Sequence, residues 1–236
     1  SSVFKGTIFL AIGGTLIVNV GALAFLFVIF FAFPAYATQV DEISSGGVKA
    51  WVIKDNTLPI VAVKIAFKGA GYAHDPAGGQ GLANFVAGTL NEGAGEYDSQ
   101  TYQRLLDENA IQLGFDVDRD DFYITMKTVS GNLDMALTLL KSALFQPLFN
   151  SEDVERVRAQ IATNISKADE SADYLAAKRF SEVMFKGHPY SNLKDGDLTT
   201  LNNIMPEDLI NFVAARFARD NMVIGIVGDV TDGSAQ

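Results

Sequence analysis

Few side chains in this 236-residue chain are equipped for covalent or metal chemistry. It has two histidines, His74 and His188, and no cysteine. A thiolate nucleophile and a Cys-ligated zinc are therefore excluded, and a histidine-built metal centre would need both imidazoles plus carboxylates from distant segments. His74 stands in a Gly-rich loop beside Asp75, and His188 follows Gly187 and precedes Pro189, so both read as turn residues. A Ser-His-Asp hydrolase would need a Gly-x-Ser-x-Gly elbow, which this sequence lacks. Asp116-Val-Asp-Arg-Asp-Asp121 opens like a calcium loop, but Asp121 stands where such a loop needs Gly and Lys127 where it needs a bidentate Glu. A solvated hairpin turn is the reading that remains. Nor is Gly79-Gln-Gly81 a dinucleotide fingerprint, because Asn84 replaces the final Gly and the helix that follows opens no βαβ unit.

The elements that carry these residues follow from hydrophobic period and turn chemistry. Val48–Ile53 begins a domain as a strand, Asp55-Asn56-Thr57 turns, and Ile60–Lys68 is a second strand, apolar enough to be central, with Lys64 and Lys68 on its outer face. Hairpin pairing between these two is the simplest arrangement. A loop from Gly69 to Pro76 leads to a helix opening near Gly81, with Leu82, Phe85, Val86 and Leu90 inward. Ser99–Asn109 reads as a helix capped by Asp98 or Ser99. Ile111–Asp116 and Phe122–Val129 form a hairpin, and Asn132–Leu144, Ser151–Lys167, Tyr174–Phe185 and Pro206–Phe217 are helices. Met222–Val227 is the last strand. Strands at both ends of a set of helices, joined by hairpins, predict an α+β domain: an antiparallel sheet with helices packed on one face.

Ahead of that domain lies a different kind of sequence. Thr7 to Phe33 runs 27 residues without a charge, long enough to span a bilayer with tilt. It meets Ala35-Tyr36-Ala37, a small-x-small pattern of the kind signal peptidases cut, while Lys5 supplies a minimal positive start. A cleaved export signal, a retained anchor and a buried soluble helix all stay open. The organisation expected is thus 1–37 as signal or transmembrane anchor, 38–47 as a polar linker, 48–230 as the domain and 231–236 as a polar tail. Both export readings put the domain outside the cytoplasm, in the periplasm or cell envelope, with an inner-membrane anchor if residues 7–33 stay. All 28 acidic residues lie at or after Asp41 and the chain carries a net −10. An acidic domain does not suit nucleic acid or electrostatic docking on anionic lipid. Mean hydropathy is +0.17, and about 200 residues suffice for an ordinary core without disulfides.

Several short stretches, in this order and spacing, resemble the pitrilysin or insulinase-like family of zinc peptidases over about residues 46 to 230. They are Gly69-Ala-Gly-Tyr72 before Asp75-Pro76, Gly81-Leu-Ala83, and Leu105 to Leu113 with Glu108-Asn-Ala-Ile111. Further on come Phe145-Gln-Pro-Leu-Phe149 before a long helix, Gly187-His-Pro-Tyr190, and Asn221 to Val230. The resemblance implies a helix bearing an inverted His-x-x-Glu-His motif, whose two His at i and i+4 share one zinc while the Glu activates the bound water. Those three positions fall here on Asn84, Ala87 and Gly88, and the family's third ligand, a Glu on the long helix, falls on Asn164. The scaffold carries over and the ligands do not, so no zinc and no other cofactor is expected. The two Asn side chains are expected to be buried and bonded to backbone groups.

What remains is similar to the family's non-catalytic members, in which an acidic residue followed by Gly-Ala-Gly closes the altered helix, as Glu92-Gly93-Ala94-Gly95 does here. Such members pair with a zinc-bearing subunit or a second half-module and help enclose a peptide. The resemblance also implies that an extended peptide adds to a sheet edge, here Gln112, Leu113, Gly114, Phe115, Asp116 and Val117, where Gly114 permits close backbone approach. A paired strand with no such role is the alternative. Two further readings are kept: the amino-terminal part of a longer, active zinc metalloendopeptidase, and a structural subunit of a membrane complex.

Overall fold

In a computed structural model, residues 39–230 are described. The signal or anchor expected at 1–37 and the tail at 231–236 lie outside them. Among the described residues, no helix is long and apolar enough to cross a membrane.

A six-stranded sheet is built from β1 (Asp41–Ser45), β2 (Val48–Lys54), β3 (Ile60–Lys68), β6 (Gln112–Val117), β7 (Asp121–Val129) and β8 (Met222–Gly228). Its order is β1-β2-β8-β3-β7-β6. Two expectations are corrected by this order. The two strands expected to pair, β2 and β3, do not form a hairpin, since β8 lies between them, parallel to the former and antiparallel to the latter. The sheet is therefore mixed rather than wholly antiparallel. The physical reason is the composition of β8, Met-Val-Ile-Gly-Ile-Val, an apolar run whose backbone groups are best satisfied by a neighbour on each side. Gly228 ends that run against β3 at φ 133, where a Cβ would collide with the Ile60 carbonyl oxygen. Asp55 N–H donates to the Gly228 carbonyl at 3.0 Å, and Asp229 N–H to that of Ile60 at 3.0 Å, which fixes the register. The second correction concerns residues 38–47. Asp41–Ser45 pairs with β2 across the Gly46-Gly47 turn, so half of the expected linker is an edge strand.

Along β3 the burial alternates. Val61, Val63, Ile65 and Phe67 are buried while Ala62, Lys64 and Lys68 are exposed, so the helices cover one face. These helices are α1 (Leu82–Thr89), α2 (Ser99–Glu108), α3 (Leu133–Phe145), α4 (Ser151–Ala168), α5 (Ala172–Met184), α6 (Leu198–Asn203) and α7 (Pro206–Arg216). A short pair, β4 (Gly93–Ala94) and β5 (Tyr97–Asp98), turns the chain between α1 and α2. Asp98 caps α2 by accepting from the Thr101 N–H at 2.8 Å. Under the sheet, Phe67 stacks on Phe217 with centroids 4.4 Å apart, and Phe122 meets the same ring edge-on at 5.0 Å. The Tyr102 hydroxyl, fully buried, donates to the Leu139 carbonyl at 2.8 Å and so joins α2 to α3. The Asp116–Asp121 segment is a hairpin turn, in which Asp118 accepts from the N–H groups of Asp120 and Asp121, both at 2.8 Å.

Candidate functional site

Helix α1 is fixed from outside before its own side chains take part. Asp75, in the loop ahead of it, turns its carboxylate onto the helix start, where Gly81 N–H donates at 2.9 Å and Ala83 N–H at 3.0 Å. Two of the orphan donors of the first turn are satisfied in this way. Burial pushes the Asp75 carboxyl up to about 7, against the downward pull of the Ala83, Gly81 and Leu82 amides and of Arg216. The loop itself is held by Arg216 of α7, which donates to the carbonyls of Gly69 at 3.0 Å and His74 at 3.1 Å. Behind the helix, Gly81 at φ 94 and Gly196 at φ 66 meet back to back. A Cβ on Gly81 would lie 2.5 Å from the Asp195 carbonyl oxygen, so only glycine lets the second turn press this close.

The second turn delivers Asp195, which accepts from Asn84 Nδ2 at 2.7 Å. It leads into α6, where Asp197 caps the helix through the N–H groups of Thr199 and Thr200. Arg158 of α4 then ties the far end of α6 to the long helix. Its guanidinium donates to the carbonyls of Leu201 and Ile204 and lies 4.9 Å from the centroid of the Phe85 ring on α1. One arginine thus sets the spacing of three helices.

Between α1, α4 and β6 lies a cleft of about 430 Å³. Asn84, Ala87 and Gly88 line it from α1, Val157, Gln160, Ile161 and Asn164 from α4, and Gly114 and Phe115 from β6, with Asn91 and Glu92 from the turn after α1. All four positions singled out from the sequence therefore face one space. Their environment differs from the expected buried Asn pair. Asn84 is half-buried and bonded to a carboxylate rather than to backbone, while Asn164 is exposed. Ala87 is buried, and a Cβ on Gly88 would stand 3.1 Å from Val157 Cγ1. The charged group of the lining is already matched: Glu92 accepts from Ser99 Oγ at 2.6 Å and pairs with Arg156, which also holds Asp153 at 2.9 Å. The arrangement offers carboxamides, a methyl group and bare backbone where zinc needs imidazole and carboxylate. It can accept and donate hydrogen bonds, and its one carboxylate, Glu92, is held by Ser99 and Arg156.

Neither histidine joins this cleft. His74 is exposed, and His188 Nδ1 accepts from the Tyr190 N–H at 3.1 Å, capping its own turn. Among the described residues, no three of His, Cys, Asp or Glu are grouped so as to hold a metal ion. The expected edge segment Gln112–Val117 is the terminal strand of the sheet, hydrogen-bonded to β7 alone, and its Gly114 and Phe115 form one wall of the cleft. Other participants carry no motif in the sequence, among them Gln160, Val157 and Asp195. Val157 lies seven residues, two helical turns, before Asn164 on the same face of α4, a spacing that was open to inspection. Asp195 comes from a loop far along the chain, and no local pattern marks it.

The family model described as insulinase, peptidase family M16, matches residues 50–194, which include all four altered positions. Over 202 residues the chain is 29% identical to a protein of Helicobacter pylori named "Non-peptidase homolog YmxG", covering 86% of this chain and 46% of that one. It is 19% identical over 162 residues to a probable mitochondrial-processing peptidase subunit beta of Schizosaccharomyces pombe, covering 69% of this chain and 35% of that one. Among solved structures, a peptidase M16 inactive domain from Pseudomonas fluorescens superposes with a TM-score of 0.79 at 23% identity, over 84% of this chain and 48% of that one. Pitrilysin superposes with a TM-score of 0.71 at 18% identity, over 86% of this chain and 22% of that one. Likeness at these identities describes the fold. The chain spans less than half the length of each of these proteins.

Proposed function

Because the chain belongs to the insulinase family, peptidase family M16, we propose that it is a non-catalytic peptidase homologue that pairs with a zinc-bearing family subunit, or with a second half-module, to enclose a peptide. The observation that carries this reading is the cleft. Asn84, Ala87, Gly88 and Asn164 lie together on it without one zinc donor among them, and the open edge of β6 runs along its wall. The helix scaffold is intact around them, down to the cap on α1 and the Arg158 clamp. A surface kept for hydrolysis alone would have no use for the wall once the ligands are gone. An extended peptide added to β6 would find backbone partners on the strand and a pocket beside it.

Pairing is supported by surface left uncovered in the single chain. Helix α5 has no buried residue and exposes Leu175, Phe180, Val183 and Met184. The apolar run at residues 7–33, followed by Ala35-Tyr-Ala37, supports export to the cell envelope, by a cleaved signal or a retained anchor.

Co-expression tests the proposal. The full chain, tagged, is produced with a family subunit that keeps its His-x-x-Glu-His motif, and peptide hydrolysis is compared for each alone and for the pair. The expected result is co-purification and a higher rate for the pair, with no activity from this chain alone. Activity from this chain alone, abolished by chelator, would overturn it.

A further inference from the structure

We infer that the cleft beside β6 is a selectivity pocket that takes an uncharged, hydrogen-bonding side chain, Gln, Asn, Ser or Thr, from the strand-added peptide. The inference rests on the peptide-binding reading above and adds the chemical class of residue bound. Its basis is the balance of the lining. Four carboxamides, of Asn84, Asn91, Gln160 and Asn164, face a space of about 430 Å³. Asn84 spends its Nδ2 on Asp195 and keeps its carbonyl oxygen to accept. Among the described residues, the amides of Gln160 and Asn164 on the exposed face of α4 have no partner, so each offers a donor and an acceptor.

Charge complementarity excludes the other classes. Glu92 would attract a basic side chain, but Arg156 and Ser99 already occupy both its oxygens. No cation faces an acidic side chain there either, because Arg156 is turned onto Glu92 and Asp153. A charged guest would find no free counter-charge, and an aliphatic guest would leave unmatched the hydrogen-bonding capacity of whichever amides it covered. Gly114 and Phe115 set the position of the guest. Gly114 carries no side chain to block approach to the edge, and Phe115, on the same wall, gives the guest's methylene stem an apolar surface.

The test uses the full chain and a fluorescein-labelled ten-residue Ala/Thr peptide, varied at one central position among Gln, Leu, Lys and Asp, with binding read by anisotropy. The Gln peptide is expected to bind about five- to tenfold more tightly than the other three, the effect of one or two net hydrogen bonds. In the double variant Gln160→Leu/Asn164→Leu, both exposed positions, the order of Gln and Leu is expected to reverse, with thermal melting checking the fold. Equal binding of all four peptides, or a preference that the double variant leaves unchanged, overturns the pocket and leaves edge addition standing. Absence of binding by every peptide overturns the pocket together with the peptide-binding reading.

Discussion

The contact between Gly88 and Val157 turns the loss of zinc ligands into a statement about volume. At Gly88 even a methyl group would meet Val157 Cγ1 at 3.1 Å, so any side chain there needs Val157 to give by a few tenths of an ångström. Gly88→His should therefore destabilise the fold by about 1–3 kcal/mol through overpacking. Adding Val157→Ala should restore much of that loss, a coupling expected of residues in contact. Urea denaturation of both single variants and the double one measures it, and independent, additive effects would show that Val157 does not occupy the missing ligand's space. Val157 has to be counted with Asn84, Ala87, Gly88 and Asn164.

At the scale of elements, α1 is held by parts it does not own. The buried carboxylate of Asp75 ties its amino end, and the Gly81–Gly196 contact and Arg158 fix its back. The Asp75 carboxyl titrates in the folded chain at about 7, above its ordinary 3.8. A raised carboxyl favours folding while it is protonated: the contribution is complete below about pH 4 and is lost as pH rises through about 7. The urea midpoint of the native chain should therefore fall across that window relative to Asp75→Asn, which keeps an acceptor for the helix and cannot titrate. A constant difference between the two proteins from pH 4 to 8 would contradict the upward shift that burial gives this carboxyl. Much of this level was legible in sequence. Helical period located α2, α3, α4, α5 and α7, and the Asp118 turn announced the β6–β7 hairpin, because those signals are local. What escaped was non-local. The insertion of β8 between β2 and β3 depends on a strand near the other end of the chain, and the pairing of Asp41–Ser45 depends on β2 offering a free edge. Helix α6, only 6 residues long, is too short to show a period. The cleft was legible in part: its four altered positions came from motif spacing, whereas Asp195 and Val157 enter through tertiary packing.

On the scale of the whole molecule, the chain has the core of an M16 domain and an exposed apolar helix face. Its sheet packs one face under helices, while α5 leaves four large apolar side chains uncovered. The chain also spans 46% of its H. pylori relative. The exposed face of α5 is the surface on which the proposed pairing would rest, and β6 is presented along the cleft between α1 and α4. The central claim, that Asn84, Ala87, Gly88 and Asn164 leave this family scaffold without a zinc site, is tested most directly by metal content. The full chain, purified and then dialysed against a slight excess of zinc followed by zinc-free buffer, is assayed for bound metal by mass spectrometry. The account predicts well under one zinc per chain, unchanged by Asn84→Ala; one zinc per chain, lost on Asn84→Ala or Asn164→Ala, would contradict it.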